Sequence, residues 1–116
     1  MAARQDPGSL AARPPVFHIL LALSGGVLHG LGIADEVERA SGGSVELGPG
    51  TLYRSLAEMA EAGLIRSVRP PTHHADPRRK YYRITASGRA AVAAEARRLQ
   101  QLVGAAREKN VLTDPT

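Results

Sequence analysis

Two runs of polar and basic residues in this chain could bind phosphate groups. The first, from Pro49 to Arg54, opens a predicted helix, and the free backbone N–H groups at a helix start favour a phosphate. Tyr53 and Arg54 lie within its first turns, where side chains reach base edges or phosphates. The second run, Arg78-Arg79-Lys80, lies in a loop between two β-prone segments. The residues predicted to contact nucleic acid are Pro49, Gly50, Thr51, Tyr53, Arg54, His73, His74, Arg78, Arg79 and Lys80.

The positive charge of the chain is concentrated around the second run. The 116 residues include 15 lysines and arginines and 11 aspartates and glutamates, which gives a net charge of +4. Residues 63–89 hold seven of the basic residues against Asp76 alone, whereas residues 30–62 have a net charge of −4. Such a basic stretch is a candidate phosphate-binding surface. The alternative is a solvated loop without a ligand.

The composition argues against several other kinds of site. Without cysteine, the chain has no disulfide, no thiolate zinc site and no cysteine nucleophile. His73 and His74, with Asp76 nearby, are an incomplete ligand set, so we expect neither a metal nor a cofactor. The serines lack the elbow or paired base that nucleophilic catalysis needs, so we expect no enzymatic activity. The chain has no run of ~20 apolar residues and no apolar signal segment at its start, which indicates a cytoplasmic protein.

The N-terminal part of the chain is predicted to hold an arm and two helices. Residues 1–12 show no periodicity and are predicted to form a flexible arm. The Pro14-Pro15 pair suits the first turn of an apolar helix, which Gly25-Gly26 ends. An amphipathic helix of roughly ten residues follows Gly30 and ends at residues 41–43.

A third helix and two strands follow. The helix begins at Pro49 and ends at Gly63. Two β-prone runs, Leu64–Val68 and Lys80–Ile84, flank the basic loop and predict a hairpin. The buried stripe of the third helix is predicted to be Leu52, Leu56, Met59 and Ala60.

A long last helix is the candidate dimer interface. It is predicted over residues 86–110, with Thr85 as its N-cap and residues 111–116 as a flexible tail. Its apolar residues recur at spacings of four and three, the period of a coiled-coil seam. The residues predicted at the interface are Phe17, Leu20, Leu21, Val92, Ala96, Leu99, Leu102, Val103 and Ala106.

Two alternatives to a packed dimer seam stay open. The last helix could instead cover its own domain, as an ordinary amphipathic helix does. An apolar cavity at the interface is the less favoured alternative to a closely packed dimer core. Its lining would be Phe17, Leu20, Leu99 and Val103.

The order of the predicted elements is typical of a winged helix-turn-helix domain, an α+β fold with three helices and a two-stranded wing. We predict this domain over residues 13–85, followed by the dimerisation helix. In such domains the third helix enters the major groove of DNA, and the wing lies along the backbone or in the minor groove.

Three stretches also resemble the PadR family of transcriptional regulators. LGPGTLYRSLAEMAEAGLI, from Leu47 to Ile65, resembles the recognition-helix signature of that family. DPRRKYYRITASGRA, from Asp76 to Ala90, resembles its wing and the start of the following helix, and His29-Gly30 is a third, weaker match. The resemblance covers residues 15–109 and is closest to the compact members with one C-terminal helix. Two departures are Leu31, where the family often has an aromatic residue, and the lack of tryptophan, which argues against an aromatic-stacking drug pocket.

The resemblance implies a dimeric repressor that a small molecule or a stress signal releases from DNA. We therefore expect a homodimer on a pseudo-palindromic operator, with half-sites about one helical turn apart or a little more. The alternative is a winged-helix adaptor that binds protein and not DNA.

Overall fold

The protein folds into five helices and a small three-stranded sheet, as seen in a computed structural model that describes residues 7–113. The predicted α+β winged-helix architecture is confirmed, with one short helix and one short strand added to it. The elements are α1 (Pro7–Ala11), α2 (Pro14–Leu23), β1 (Leu28–His29), α3 (Gly30–Ala40), α4 (Pro49–Glu61), β2 (Ile65–Val68), β3 (Tyr81–Ile84) and α5 (Ala86–Glu108). None of these helices is long and apolar enough to cross a bilayer.

The apolar helix α2 runs through the core. Its prolines occupy the first turn, where a missing N–H costs nothing. Five of its residues are buried, which is half of the helix. They are Val16, Ile19, Leu20, Ala22 and Leu23.

Helices α3 and α4 pack on α2 and form the helix-turn-helix. The stripe predicted for α4 is confirmed for Leu52, Leu56 and Met59, which are buried. It is wrong for Ala60, which is exposed, because a residue adjacent to Met59 lies about 100° around the helix. Ser55, one turn before Met59, is buried instead.

The sheet has the strand order β1-β3-β2, and both pairings are antiparallel. The predicted hairpin is β2 paired with β3, with Ile65 opposite Ile84 and Val68 opposite Tyr81. Both Tyr81 and Tyr82 are buried although successive side chains point to opposite faces of the sheet, because Tyr82 packs in the core and Tyr81 packs against the His29 ring. The wing is defined here as β2, β3 and the loop of residues 69–80 between them.

Helix α5 begins at Ala86 with Thr85 as its N-cap, as predicted, and the Thr85 hydroxyl accepts a hydrogen bond from the N–H of Gly88. It ends at Glu108, two residues before the predicted end. Of the predicted tail, residues 111–113 are exposed and not helical, and residues 114–116 lie outside the described part of the chain.

The predicted arm is wrong for residues 7–11. They form α1, which packs against α5 and buries Leu10 and Ala11. A five-residue helix is too short to show a periodic pattern, so only tertiary packing fixes it. Residues 1–6 of the predicted arm lie outside the described part of the chain.

Candidate nucleic-acid interface

The start of α4 offers free backbone donors. Gly48 is its N-cap in extended conformation, and no side chain caps the helix. Pro49 and Gly50 are exposed. The first turn therefore keeps the unpaired N–H groups and the positive end of the helix dipole that suit a phosphate oxygen.

Tyr53 and Arg54 follow on the exposed side of α4. Tyr53 is 54% exposed, although its ring lies against the start of α3. A Cβ atom on Gly30 would be only 2.8 Å from the Tyr53 hydroxyl. Glycine at position 30 thus allows a side chain of α4 to lie directly on the backbone of α3.

An open groove of about 250 Å³ lies beside α4. Thr51 and Arg54 line it from α4, and Arg13 lines it from the segment before α2. The Arg13 guanidinium donates to the Glu58 carboxylate at 2.7 Å. This ion pair ties the second half of α4 to the segment before α2 and neutralises the Glu58 carboxylate. Glu61 is exposed.

Asp76 organises the tip of the wing. Its carboxylate accepts from the backbone N–H of Arg78 at 2.9 Å and from the Arg78 guanidinium at 3.2 Å, and it lies 3.6 Å from Nε of Arg79. Hydrogen bonds from Arg78 hold the pKa of Asp76 below its ordinary value. The Arg78 side chain nevertheless stays 88% exposed, so Asp76 shapes the turn without covering the cation.

Arg79 and Lys80 differ in what they contact. One Arg79 nitrogen, Nη1, lies 3.2 Å from Nδ1 and 3.1 Å from Nε2 of His29, at the end of β1. The Lys80 ammonium lies 5.8 Å from the centre of the Tyr82 ring. The sequence did not predict the contact of Arg79 with His29. The signal that it offered for this junction was the His29-Gly30 pair before α3.

His73 and His74 are exposed in the wing loop, with ring centres 3.9 Å apart. Over residues 7–113, no three histidine and acidic side chains form a group that could hold a metal ion.

Arg66 and Arg83 extend the basic surface beyond the predicted residues. They lie directly opposite each other on β2 and β3, and both are exposed. Neither forms an ion pair with a carboxylate in the part of the chain that is described. Like charges at directly opposed positions destabilise a sheet, so an anion bound across the pair would relieve their repulsion. The sequence signal for these two arginines was the alternation of apolar and basic residues at Ile65-Arg66 and Arg83-Ile84.

The second predicted surface, the dimer interface, is partly corrected. Leu20 is 0% exposed and Val92 is 8% exposed. Both pack in the protomer's own core, so they are not available to a partner, and Leu20 cannot line a cavity on the exposed face of α5. The remaining predicted residues are half-buried or exposed, namely Phe17, Leu21, Ala96, Leu99, Leu102, Val103 and Ala106.

Comparisons with known proteins agree with this fold. The sequence profile described as "Transcriptional regulator PadR-like family" matches residues 19–94. No curated protein matches the chain. Among solved structures, a PadR family transcription regulator from Clostridium difficile is similar, with a TM-score of 0.68 and 23% identity over 81% of this chain and 95% of that one.

Two further solved structures are similar over most of the chain. A transcriptional regulator from Clostridium thermocellum has a TM-score of 0.60 and 20% identity, over 90% of this chain and 97% of that one. The zinc-responsive MarR family member ZitR from Lactococcus lactis has a TM-score of 0.62 and 20% identity, over 87% of this chain and 63% of that one.

Proposed function

The chain belongs to the PadR-like family of DNA-binding transcriptional regulators, and we propose that it is a homodimeric repressor of a pseudo-palindromic operator. The start of α4 enters the major groove in each half-site, and the wing binds phosphates beside it. A small-molecule or stress signal releases the DNA by changing the relative orientation of the two protomers. The protein acts in the cytoplasm, where its DNA is, and it catalyses no reaction.

One observation carries the proposal: the start of α4 and the basic wing meet at the β1–α3 junction. Tyr53 of α4 lies on Gly30, and Arg79 of the wing lies on His29, the preceding residue. The free N–H groups of α4 and the cations of the wing therefore belong to one continuous surface. A duplex is a polyanion that can contact both at once.

The DNA contacts proposed from the sequence sort into two classes. Tyr53 and Arg54 reach base edges, while the N–H groups of Gly50 and Thr51 take a phosphate. The other proposed contacts hold the backbone and would set affinity more than sequence preference. They are Pro49, His73, His74, Arg78, Arg79 and Lys80 from the sequence, and Arg66 and Arg83 from the structure.

The homodimer rests on the apolar face that α5 leaves uncovered. Leu99, Leu102 and Val103 are all at least one-third exposed on consecutive turns. An uncovered row of large apolar side chains typically marks an interface. Two copies packed through this row form a DNA-binding dimer with two-fold symmetry, as a pseudo-palindromic operator requires.

Salt-dependent binding of a duplex tests the proposal. The duplex is selected from a random pool with the wild-type protein, and its affinity is measured by fluorescence anisotropy over a range of salt concentrations. We expect Arg78→Ala/Lys80→Ala to weaken binding and to lower the slope of log K against log salt by about 0.9 per lost phosphate contact. Arg97→Ala/Lys109→Ala, which removes the same charge from α5 and its C-cap residue, is the matched control.

Equal slopes for the wing variant and the wild type would contradict the wing contacts. Equal losses in the wing and α5 variants would mean that net charge alone drives binding. If no duplex is selected at all, the adaptor that binds protein becomes the better interpretation.

A further inference from the structure

The groove beside α4 is lined mainly by polar side chains. Its volume of about 250 Å³ is several times the roughly 30 Å³ that a water molecule occupies in the liquid, so it has room for a small oxyanion. The first turn of α2 supplies the apolar part of the lining. The polar side chains that line the groove are Arg13, Thr51, Arg54, Ser55 and Glu58.

Ser55 brings a buried hydroxyl without a partner to this groove. The residue is only 7% exposed, and its hydroxyl forms no hydrogen bond within residues 7–113. A serine in a helix often donates to the carbonyl oxygen four residues before it, as Ser24 donates to Leu20 at 2.8 Å. The oxygen of Ser55 is not fully enclosed and therefore opens onto the groove. Because a buried hydroxyl without a partner costs free energy, it points to a ligand there.

Arg13 holds unused donors at the same groove. Its Nη2 atom donates to the Glu58 carboxylate at 2.7 Å, whereas its Nε atom is enclosed and has no acceptor within the described residues. A guanidinium presents five N–H groups in a planar fork that matches the oxygens of a carboxylate or a phosphate. The single bond to Glu58 therefore leaves most of the fork for a second acceptor.

The charges in the groove favour an anion. Arg54 forms no ion pair with a carboxylate in the part of the chain that is described. Two guanidinium groups thus stand against the one carboxylate of Glu58, which Arg13 already neutralises. Thr51 and Ser55 are one turn apart on α4 and so lie on the same face. Their hydroxyls can donate to an oxygen that lies between Arg13 and Arg54.

We propose that the groove binds one phosphate group, which accepts from Arg13, Thr51 and Ser55 while Arg54 adds positive charge. The phosphate can belong to the backbone of the operator or to a free phosphate ion. The first source rests on the proposed DNA-binding function, whereas the second does not. A free phosphate here would compete with DNA, because Thr51 and Arg54 are among the proposed DNA contacts.

The first test needs no DNA. The ¹⁵N-labelled protein is titrated with inorganic phosphate at about pH 7, with sodium chloride keeping the ionic strength constant, and the amide resonances are followed by NMR. We expect saturable shifts around the groove. Arg13→Gln and Ser55→Ala should each weaken phosphate binding about three- to tenfold, the effect of one hydrogen bond. Arg39→Gln is the matched control, because Arg39 forms a similar ion pair with Glu36 at 2.7 Å on α3, and it should not change the affinity.

The stability of Ser55→Ala separates a ligand contact from a structural one. Removing a buried hydroxyl that has no partner should leave the urea midpoint unchanged or raise it. Ser24→Ala, which removes a hydroxyl that is hydrogen-bonded, should lower the midpoint. Equal losses in the two variants would mean that the Ser55 hydroxyl has a partner within the protein, and would overturn the proposal.

The affinity for the selected duplex in chloride, without phosphate ions, distinguishes the two sources. If a backbone phosphate occupies the groove, Arg13→Gln and Ser55→Ala weaken duplex binding about three- to tenfold. Arg13→Gln then also lowers the slope of log K against log salt by about 0.9. If free phosphate is the ligand, both variants bind the duplex as the wild type does. Added phosphate then displaces the duplex from the wild type more than from Ser55→Ala.

The outcomes also separate the groove from the proposed function. Wild-type affinities of both variants for phosphate and for the duplex would overturn the phosphate site, even if DNA binds tightly. If no duplex is selected but the two variants lose phosphate binding, the groove stands as a site for free phosphate and the DNA-binding function fails.

Discussion

At the residue scale, the backbone of Gly63 and Leu64 fixes where α5 begins. Thr85 donates its N–H to the carbonyl oxygen of Leu64 at 3.0 Å and its hydroxyl to that of Gly63 at 2.6 Å. The same hydroxyl accepts from Gly88 at 3.0 Å. A Cβ atom on Gly88 would collide with the carbonyl oxygen of Leu64 and lie 2.8 Å from Cγ1 of Ile84. The first turn of α5 therefore fits the end of the sheet only with glycine at position 88.

We predict that Gly88→Ala lowers the free energy of unfolding by about 2–3 kcal/mol, because the colliding atom belongs to the backbone and cannot rotate away. Urea denaturation measures the change. Gly104→Ala, in the same helix with open space around its Cα, is the control and should raise stability by about 0.5–1 kcal/mol. Equal effects of the two substitutions would contradict the close approach.

Single residues were predictable where their role is local. The Thr85 cap follows from residue type and position at a helix start, and the structure bears it out. The roles of His29 and Gly88 were not predictable, since each depends on a residue far away in the sequence. Arg79 is fifty positions from His29, and no spacing rule relates them.

At the element scale, α5 carries a buried acid within its first half. Glu95 is buried, and its carboxylate accepts from the Arg98 guanidinium at 2.8 and 2.5 Å. Hydrogen bonds from Arg98 lower the pKa of Glu95. A carboxyl group with a lowered folded-state pKa stabilises the fold above its ordinary pKa, and this contribution is lost as the pH falls through the lowered value.

We predict that Glu95→Gln loses less stability than the wild type between about pH 6 and about pH 3, because the variant has no carboxylate to protonate at that position. Urea denaturation at both pH values measures the two losses. Glu61→Gln is the control, since Glu61 is exposed and has no ion pair among the described residues. A stabilising role for the Glu95–Arg98 pair would be contradicted if Glu95→Gln lost as much unfolding free energy on acidification as the wild type and the control do.

Elements were predictable in proportion to their length. The four longer helices and the strands of the wing follow from periodicity and from the proline and glycine positions, and all are present. Helix α1 and strand β1 have five and two residues, too few for a period to show. Both exist because larger elements, α5 and β3, supply the surface on which they pack.

At the scale of the whole molecule, the protomer is extended. Its radius of gyration is 15.8 Å, against about 13 Å for a compact chain of this length. Helix α5 has 23 residues, and its described buried residues all lie at or before Glu95. Residues 7–113 therefore leave the apolar row of the second half of the helix largely uncovered.

We predict that Leu99→Asp/Val103→Asp converts a dimer into folded monomers, because charges in the apolar row oppose its burial. Light scattering gives the mass, and circular dichroism checks the fold. Leu31→Asp changes a leucine on α3 that is more exposed, at 57% against 36% for Leu99, and it should leave the dimer intact. A normal dimer in the double variant would contradict the α5 interface.

The packing of the elements against one another was harder to predict from the sequence than the elements themselves. The 3.5-residue period of α5 places Val92 in the same row as Leu99, yet Val92 lies in the protomer's core. Periodicity shows that one face of a helix is buried, but it does not show which neighbour covers each turn. The first turns of α5 pack on the protomer itself, and only the later ones are left for a partner.

Hydroxyl-radical footprinting on the selected duplex tests whether two copies of α4 and of the wing bind one operator. We expect two protected segments related by two-fold symmetry, with centres about 10 base pairs apart or slightly more. The variant Arg78→Ala/Lys80→Ala should lose protection at the phosphates that the wings contact and keep it where the start of α4 binds. A single asymmetric protected segment, or no protection at concentrations at which the duplex is bound, would contradict the claim.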